Sequence, residues 1–128
     1  MASSSASYRT TRAVVLLLLA ACRSSTLYCT AIGCVDEVDA TITGVPPQTL
    51  VTVVASVSGR PMQSRTCMAT NGSCLIAFED FAPTIVTFDV SWGTQHKSFT
   101  LQPNYRINQP NGAECGPTCR FAPVTLSL

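Results

Sequence analysis

Seven cysteines in a chain of 128 residues are the side chains best suited to chemistry: Cys22, Cys29, Cys34, Cys67, Cys74, Cys115 and Cys119. Cys115 and Cys119 bound the stretch CGPTC, which invites comparison with the dithiol motif CGPC. A redox pair of that kind has two residues between its thiols and a helix N-terminus to lower the first pKa. Here three residues intervene and strand-like sequence follows, so both thiols read as structural disulfide partners. His96, in QHKSFTL, is the only histidine. Nucleophilic catalysis needs a histidine oriented by a carboxylate and touching Ser or Cys, and no G-x-S-x-G elbow selects a serine. His96 therefore reads as an exposed strand residue. With one histidine and cysteines committed to disulfides, zinc lacks ligands. Asp36, Glu37 and Asp39 in VDEVD, and Glu79 and Asp80 in EDFAP, offer hard oxygens to calcium. They show no EF-hand spacing, and strand alternation sends Glu37 and Asp39 to one face and Asp36 to the other. They read as solvated charges that protect sheet edges. The residues thus give no catalytic group, no metal site and no cofactor.

What the sequence does specify is a destination. MASSSASYRTTR carries Arg9 and Arg12 and no acid, and Ala13 to Ala21 follow without a polar group. Nine helical residues span about 13 Å, far short of a hydrocarbon core of about 30 Å. A basic segment, a short apolar run and small residues form the pattern of a secretory signal peptide. Its last residues, Leu19-Ala20-Ala21-Cys22, resemble a bacterial lipobox, in which the cysteine is acylated and becomes the first residue of the mature protein. That resemblance implies a signal peptide over 1–21, lipidation at Cys22, and a membrane anchor stronger than one acyl chain supplies.

Cleavage before Cys22 leaves 107 residues with six basic and seven acidic side chains, about −1 in net charge. This is no nucleic-acid footprint, and the length suits one domain. Assigning Cys22 to lipid leaves six cysteines, an even number that in an oxidising compartment reads as three disulfides.

Residues 22–33 read as a polar tether, and 34–128 as a single domain with strand signals throughout. Val38, Ala40 and Ile42 alternate with Asp39 and Thr41; Val51, Val53, Ala55 and Val57 share a face; so do Val86, Phe88, Val90 and Trp92. MQSRTCM reads as an edge strand, CLIAF as a short buried strand, and QHKSFTL and FAPVTLSL as the last two. The long connection 102–118, rich in Pro, Asn, Gly and Cys, reads as a loop and as the expected contact surface, with Tyr105 and Arg106 exposed on it. Trp92 and Tyr105 could together stack on a sugar, but Trp92 shares the apolar face of its strand. Asn71-Gly72 signals a hairpin, which would bring Cys67 opposite Cys74 on neighbouring strands.

About seven short strands with turns roughly every ten residues form the pattern of an all-β sandwich. The layout resembles small immunoglobulin-like or transthyretin-like (carboxypeptidase-regulatory-like) sandwiches. Gly33-Cys34 and the closing NQPNG–ECGPTCR resemble those of uncharacterised bacterial envelope lipoproteins. In immunoglobulin-like sandwiches the first and last strands often run parallel as neighbours. That would let Cys29 and Cys34 cross to Cys115 and Cys119; the rival is local closure, Cys29 with Cys34 and Cys115 with Cys119. The crossing arrangement is preferred. The expectation is a non-enzymatic lipoprotein of the bacterial envelope, facing periplasm or exterior, with the membrane and an envelope protein or glycan as partners. The alternatives are a small envelope redox or hydrolytic enzyme using Cys115/Cys119 or His96, and a calcium-dependent adhesin-like binder.

Overall fold

The computed structural model describes residues 29–128; the expected signal peptide, Cys22 and most of the tether lie outside them. The described chain is all-β: β1 (Glu37–Thr43), β2 (Leu50–Val57), β3 (Arg60–Met68), β4 (Ser73–Glu79), β5 (Val86–Trp92), β6 (Gln95–Leu101), β7 (Arg106–Asn108) and β8 (Cys119–Ser127). Two four-stranded sheets, ordered β4-β1-β8-β7 and β3-β2-β5-β6, pack over a shared core.

Two-residue alternation builds that core. Val38, Ala40 and Ile42 of β1 point inward beside Phe78 and Ile76 of β4 and Ala122 and Leu126 of β8. Val51, Val53 and Ala55 of β2 answer from the other sheet, beside Val90 and Phe88 of β5. Phe78 and Phe88 meet across the sandwich with ring centroids 5.4 Å apart. Full burial of such side chains stabilises by about 1.5–3 kcal/mol each. The outward residues Thr87, Asp89 and Ser91 remain polar, so each strand has one face to bury.

β1 and β8 are parallel neighbours, in register from Glu37 opposite Phe121 to Thr43 opposite Ser127. Both enter from one end of the sandwich. That end also carries the Ser58-Gly59 turn, the loop 80–85 and the connection 102–118. The far end carries the loop 44–49 and the turns Asn71-Gly72 and Gly93-Thr94.

Three expectations need correction. Asn71 (φ 52°) and Gly72 (φ 82°) make a tight turn closed by the Thr70–Ser73 bridge, but the flanking strands join different sheets, β3 one and β4 the other. Cys67 and Cys74 do bond, with Cα atoms 6.0 Å apart, as a staple between sheets rather than across a hairpin. CLIAF is only half buried: Ile76 and Phe78 face the core, while Leu75 is 61% exposed on the outer face of an edge strand. The connection 102–118 is not all loop, because its residues 106–108 form β7 against β8, an eighth strand.

Two side-chain hydrogen bonds join strands of the two sheets besides the staple, and a third ties the loops at one end. Gln63 Nε2 donates to the Glu79 carbonyl (2.8 Å), Lys97 Nζ to the Ser127 carbonyl (2.8 Å), and the Tyr105 hydroxyl to the Pro83 carbonyl (2.9 Å).

Candidate functional site

Two disulfides and an asparagine assemble the end of the sandwich where β1 and β8 begin. Cys29 bonds Cys115 and Cys34 bonds Cys119, the crossing arrangement, over sequence separations of 86 and 85. Between the bridges, Asn111 fills its hydrogen-bonding capacity. Its Nδ2 donates to the carbonyls of Ile32 and Gly116, both at 2.8 Å, and its Oδ1 accepts from the Thr30 hydroxyl (2.5 Å) and the Ile32 amide (3.2 Å). Residues 29–33, read from sequence as tether, are thereby latched together with Cys34 onto the 109–119 segment.

Asp36 continues the latch into the sheet. Its Oδ1 accepts from the Arg120 amide at 2.7 Å, and its Oδ2 from Arg120 Nη2 and Nε at 2.6 and 3.2 Å. The side-chain bond to Arg120, followed by the amide bond, holds the Asp36 carboxyl below its ordinary value. The Arg120 guanidinium also lies 5.7 Å from the centre of the Tyr105 ring. The ring is half-buried under it, and burial raises the phenol's pKa. Tyr105 is therefore a plug between the sheets, not the exposed loop aromatic expected. Arg106, next in sequence, is exposed on β7.

Directly paired residues lie on one face of a sheet, so Glu79, Glu37, Phe121 and Arg106 form a row across the outer face of the first sheet. Asp39 lies one step along on the same face. Glu37 is pushed up to about 7, first by its hydrogen bond with Asp39, then by burial and the charges of Asp39 and Glu79. Asp39 Oδ1 is buried without a hydrogen-bond partner. As expected, Asp36 is on the other face, and Arg120 occupies both its oxygens. Among the described residues no three of His, Cys, Asp and Glu are placed to hold a metal ion.

The remaining candidates are dispersed. Cys115 and Cys119 are buried and bonded to the N-terminal cysteines, not to each other. His96 is exposed on β6 opposite Ser91, near the far end. Trp92 is half-buried against the core at that end, a sandwich length from Tyr105, so the two cannot grip one sugar. Two depressions flank Asp80 at the disulfide-bonded end. One of about 330 Å³ lies between Cys34, Val35, Pro117 and Thr118, and one of about 620 Å³ lies between Val57, Met62, Phe81 and Pro83.

The sequence reading missed Asn111 and the Asp36–Arg120 pair. All their partners but Gly116 are 79 to 84 residues away, and the one available signal was the crossing of the cysteines that flank them. No protein-family model matches the chain, and no curated protein or solved structure matches it.

Proposed function

We propose that this protein is a non-enzymatic lipoprotein of the bacterial envelope, held to a membrane by acylated Cys22 and presenting a disulfide-stapled sandwich to the periplasm or exterior. The observation that supports this reading is the cysteine pairing. Three bridges consume six of the seven cysteines and leave over the one that closes the apolar run of the signal-like segment. Three disulfides fit an oxidising compartment. The dispersal of His96, Cys115 and Cys119 favours binding over catalysis, with an envelope protein or glycan as the class of ligand.

Metabolic labelling with a palmitate analogue tests the anchor. Wild-type protein labels and partitions into detergent, and Cys22→Ala abolishes both. Equal membrane retention of Cys22→Ala refutes the reading. A free-thiol count on the denatured, unreduced mature protein tests the redox alternative: full pairing and acylation leave none.

A further inference from the structure

We infer that the disulfide-bonded end of the sandwich rests on the lipid bilayer itself, through an apolar rim around residues 29–36 and the connection 102–118. This rests on the lipid anchor proposed above and names the partner of the expected contact surface. The path of the chain comes first. The described chain begins at Cys29, whose bond to Cys115 fixes it to this end. Seven Cα steps separate Cys22 from Cys29, a reach of at most about 25 Å even fully extended. An acyl chain on Cys22 therefore ties this end, rather than the far one, to the headgroups.

The second observation is where apolar surface is left uncovered. Ile32 (55% exposed), Val35 (45%), Ile85 (50%) and Ile107 (62%) all belong to this end: the strap before β1, the loop before β5, and β7. Met62, also exposed, borders the larger depression beside them. At the far end the exposed Leu50 and Met68 pair with each other on the outer face of the second sheet. A rim of separate side chains is a weak ligand from free solution. Tethering makes its encounter with the bilayer intramolecular, where weak contacts suffice.

The charges say which force is involved. Arg60, Arg106 and Arg120 at this end face Asp36, Glu37, Glu79, Asp80 and Glu114, an excess of acid. Anionic headgroups do not attract such a surface, so the contact is apolar and insensitive to salt.

The single tryptophan supplies the control, since Trp92 lies at the far end. The acylated full chain is reconstituted into phosphatidylcholine–phosphatidylethanolamine vesicles with brominated acyl chains, as wild type and as Ile107→Trp in a Trp92→Phe background. Val35→Trp in the same background is a second reporter, in case Ile107→Trp disturbs β7. Either reporter should lose half or more of its emission and shift to the blue, while wild-type Trp92 is unquenched. Raising salt from about 0.1 M to about 1 M should change nothing. Vesicle flotation and the mass of the N-terminal peptide are read on the same samples. Protein that floats and carries acyl chains, with both reporters quenched no more than Trp92, overturns the docking and leaves the anchor standing. Protein without acyl chains that fails to float overturns both.

Discussion

Arg120 grips Asp36 twice, through its guanidinium at 2.6 Å and its own amide at 2.7 Å, and so joins the strap ahead of β1 to the start of β8. A carboxyl whose folded pKa is depressed adds stability that is present above its unfolded value of 3.8 and lost as pH falls through the folded value. Wild-type protein should therefore lose stability on acidification below 3.8, and Asp36→Asn should show a shallower loss. At neutral pH the substitution should lower Tm only modestly, because both side chains face solvent. Parallel Tm–pH curves for the two proteins below that value would contradict the assignment.

Glu37 has the opposite sign. Its folded value of about 7 exceeds its ordinary 4.5, so between the two the native state binds the extra proton. Stability due to this group is full at the acid side, falls as pH rises through that window, and stays at its lower level above it. Glu37→Gln removes the slope. Thermal melts should give the variant a Tm a few degrees above wild type at pH 8 and equal to it near pH 4.5. A constant offset between the two curves would refute the coupling to Asp39.

The bridges Cys29–Cys115 and Cys34–Cys119 interleave along the chain. Once one has closed its long loop, the other closes a ring of about ten residues, so chain entropy assigns ~2–3 kcal/mol to losing either bridge and ~7 kcal/mol to losing both. Urea unfolding of Cys29→Ala/Cys115→Ala, Cys34→Ala/Cys119→Ala and the combined variant measures this. Additive losses would mean that the two bridges act independently. Cys67→Ala/Cys74→Ala, opening a separation of 7, should cost ~2–3 kcal/mol.

Tyr105→Phe removes the hydroxyl that donates to Pro83 and keeps the ring beneath Arg120. The expected loss is about 0.5–1.5 kcal/mol, read as a shift in urea midpoint at constant m-value. Tyr105→Ala opens the plug between the sheets and, for a half-buried ring, should cost about 2–3 kcal/mol, less than truncation of a fully buried aromatic. Equal effects of the two substitutions would show that the hydroxyl alone matters.

Strand alternation made most of this architecture legible, because one face of each strand is buried and a one-residue slip would expose it. Val38/Ala40/Ile42 and Val86/Phe88/Val90 lie inward as their spacing indicates. The sheet to which a strand belongs was not legible around Asn71-Gly72. The same tight turn and the same Cys67–Cys74 reach serve a hairpin and a corner between sheets alike. β7 carries three residues among Pro, Asn and Gly, too few for any period to register, and it exists because the free edge of β8 needs a partner. Trp92 keeps its inward parity, yet it closes a strand and so stays partly in solvent. At the candidate site the cysteines were legible through parity and the direction of the end strands. Asn111 was not, because its amide meets partners 79 residues away.

The crossing bridges also decide how the protein bears tension. A pull on the chain ahead of Cys29 and beyond Ser127 passes through Cys29–Cys115 directly into the last segment of chain. Residues 35–114, with the core and seven of the eight strands, stay out of the load path, while the short stretch 30–34 shares it through Cys34–Cys119. Only β8 is loaded, pulled along its own backbone from both ends while it stays paired with β1 over seven residue pairs. Since β8 is already extended, yielding adds little length. Reduction of the bridges reroutes the same pull through the whole sandwich and releases about 3.5 Å for each residue set free. In single-molecule stretching the oxidised protein behaves as a short, stiff link, and the reduced protein as a long, compliant one.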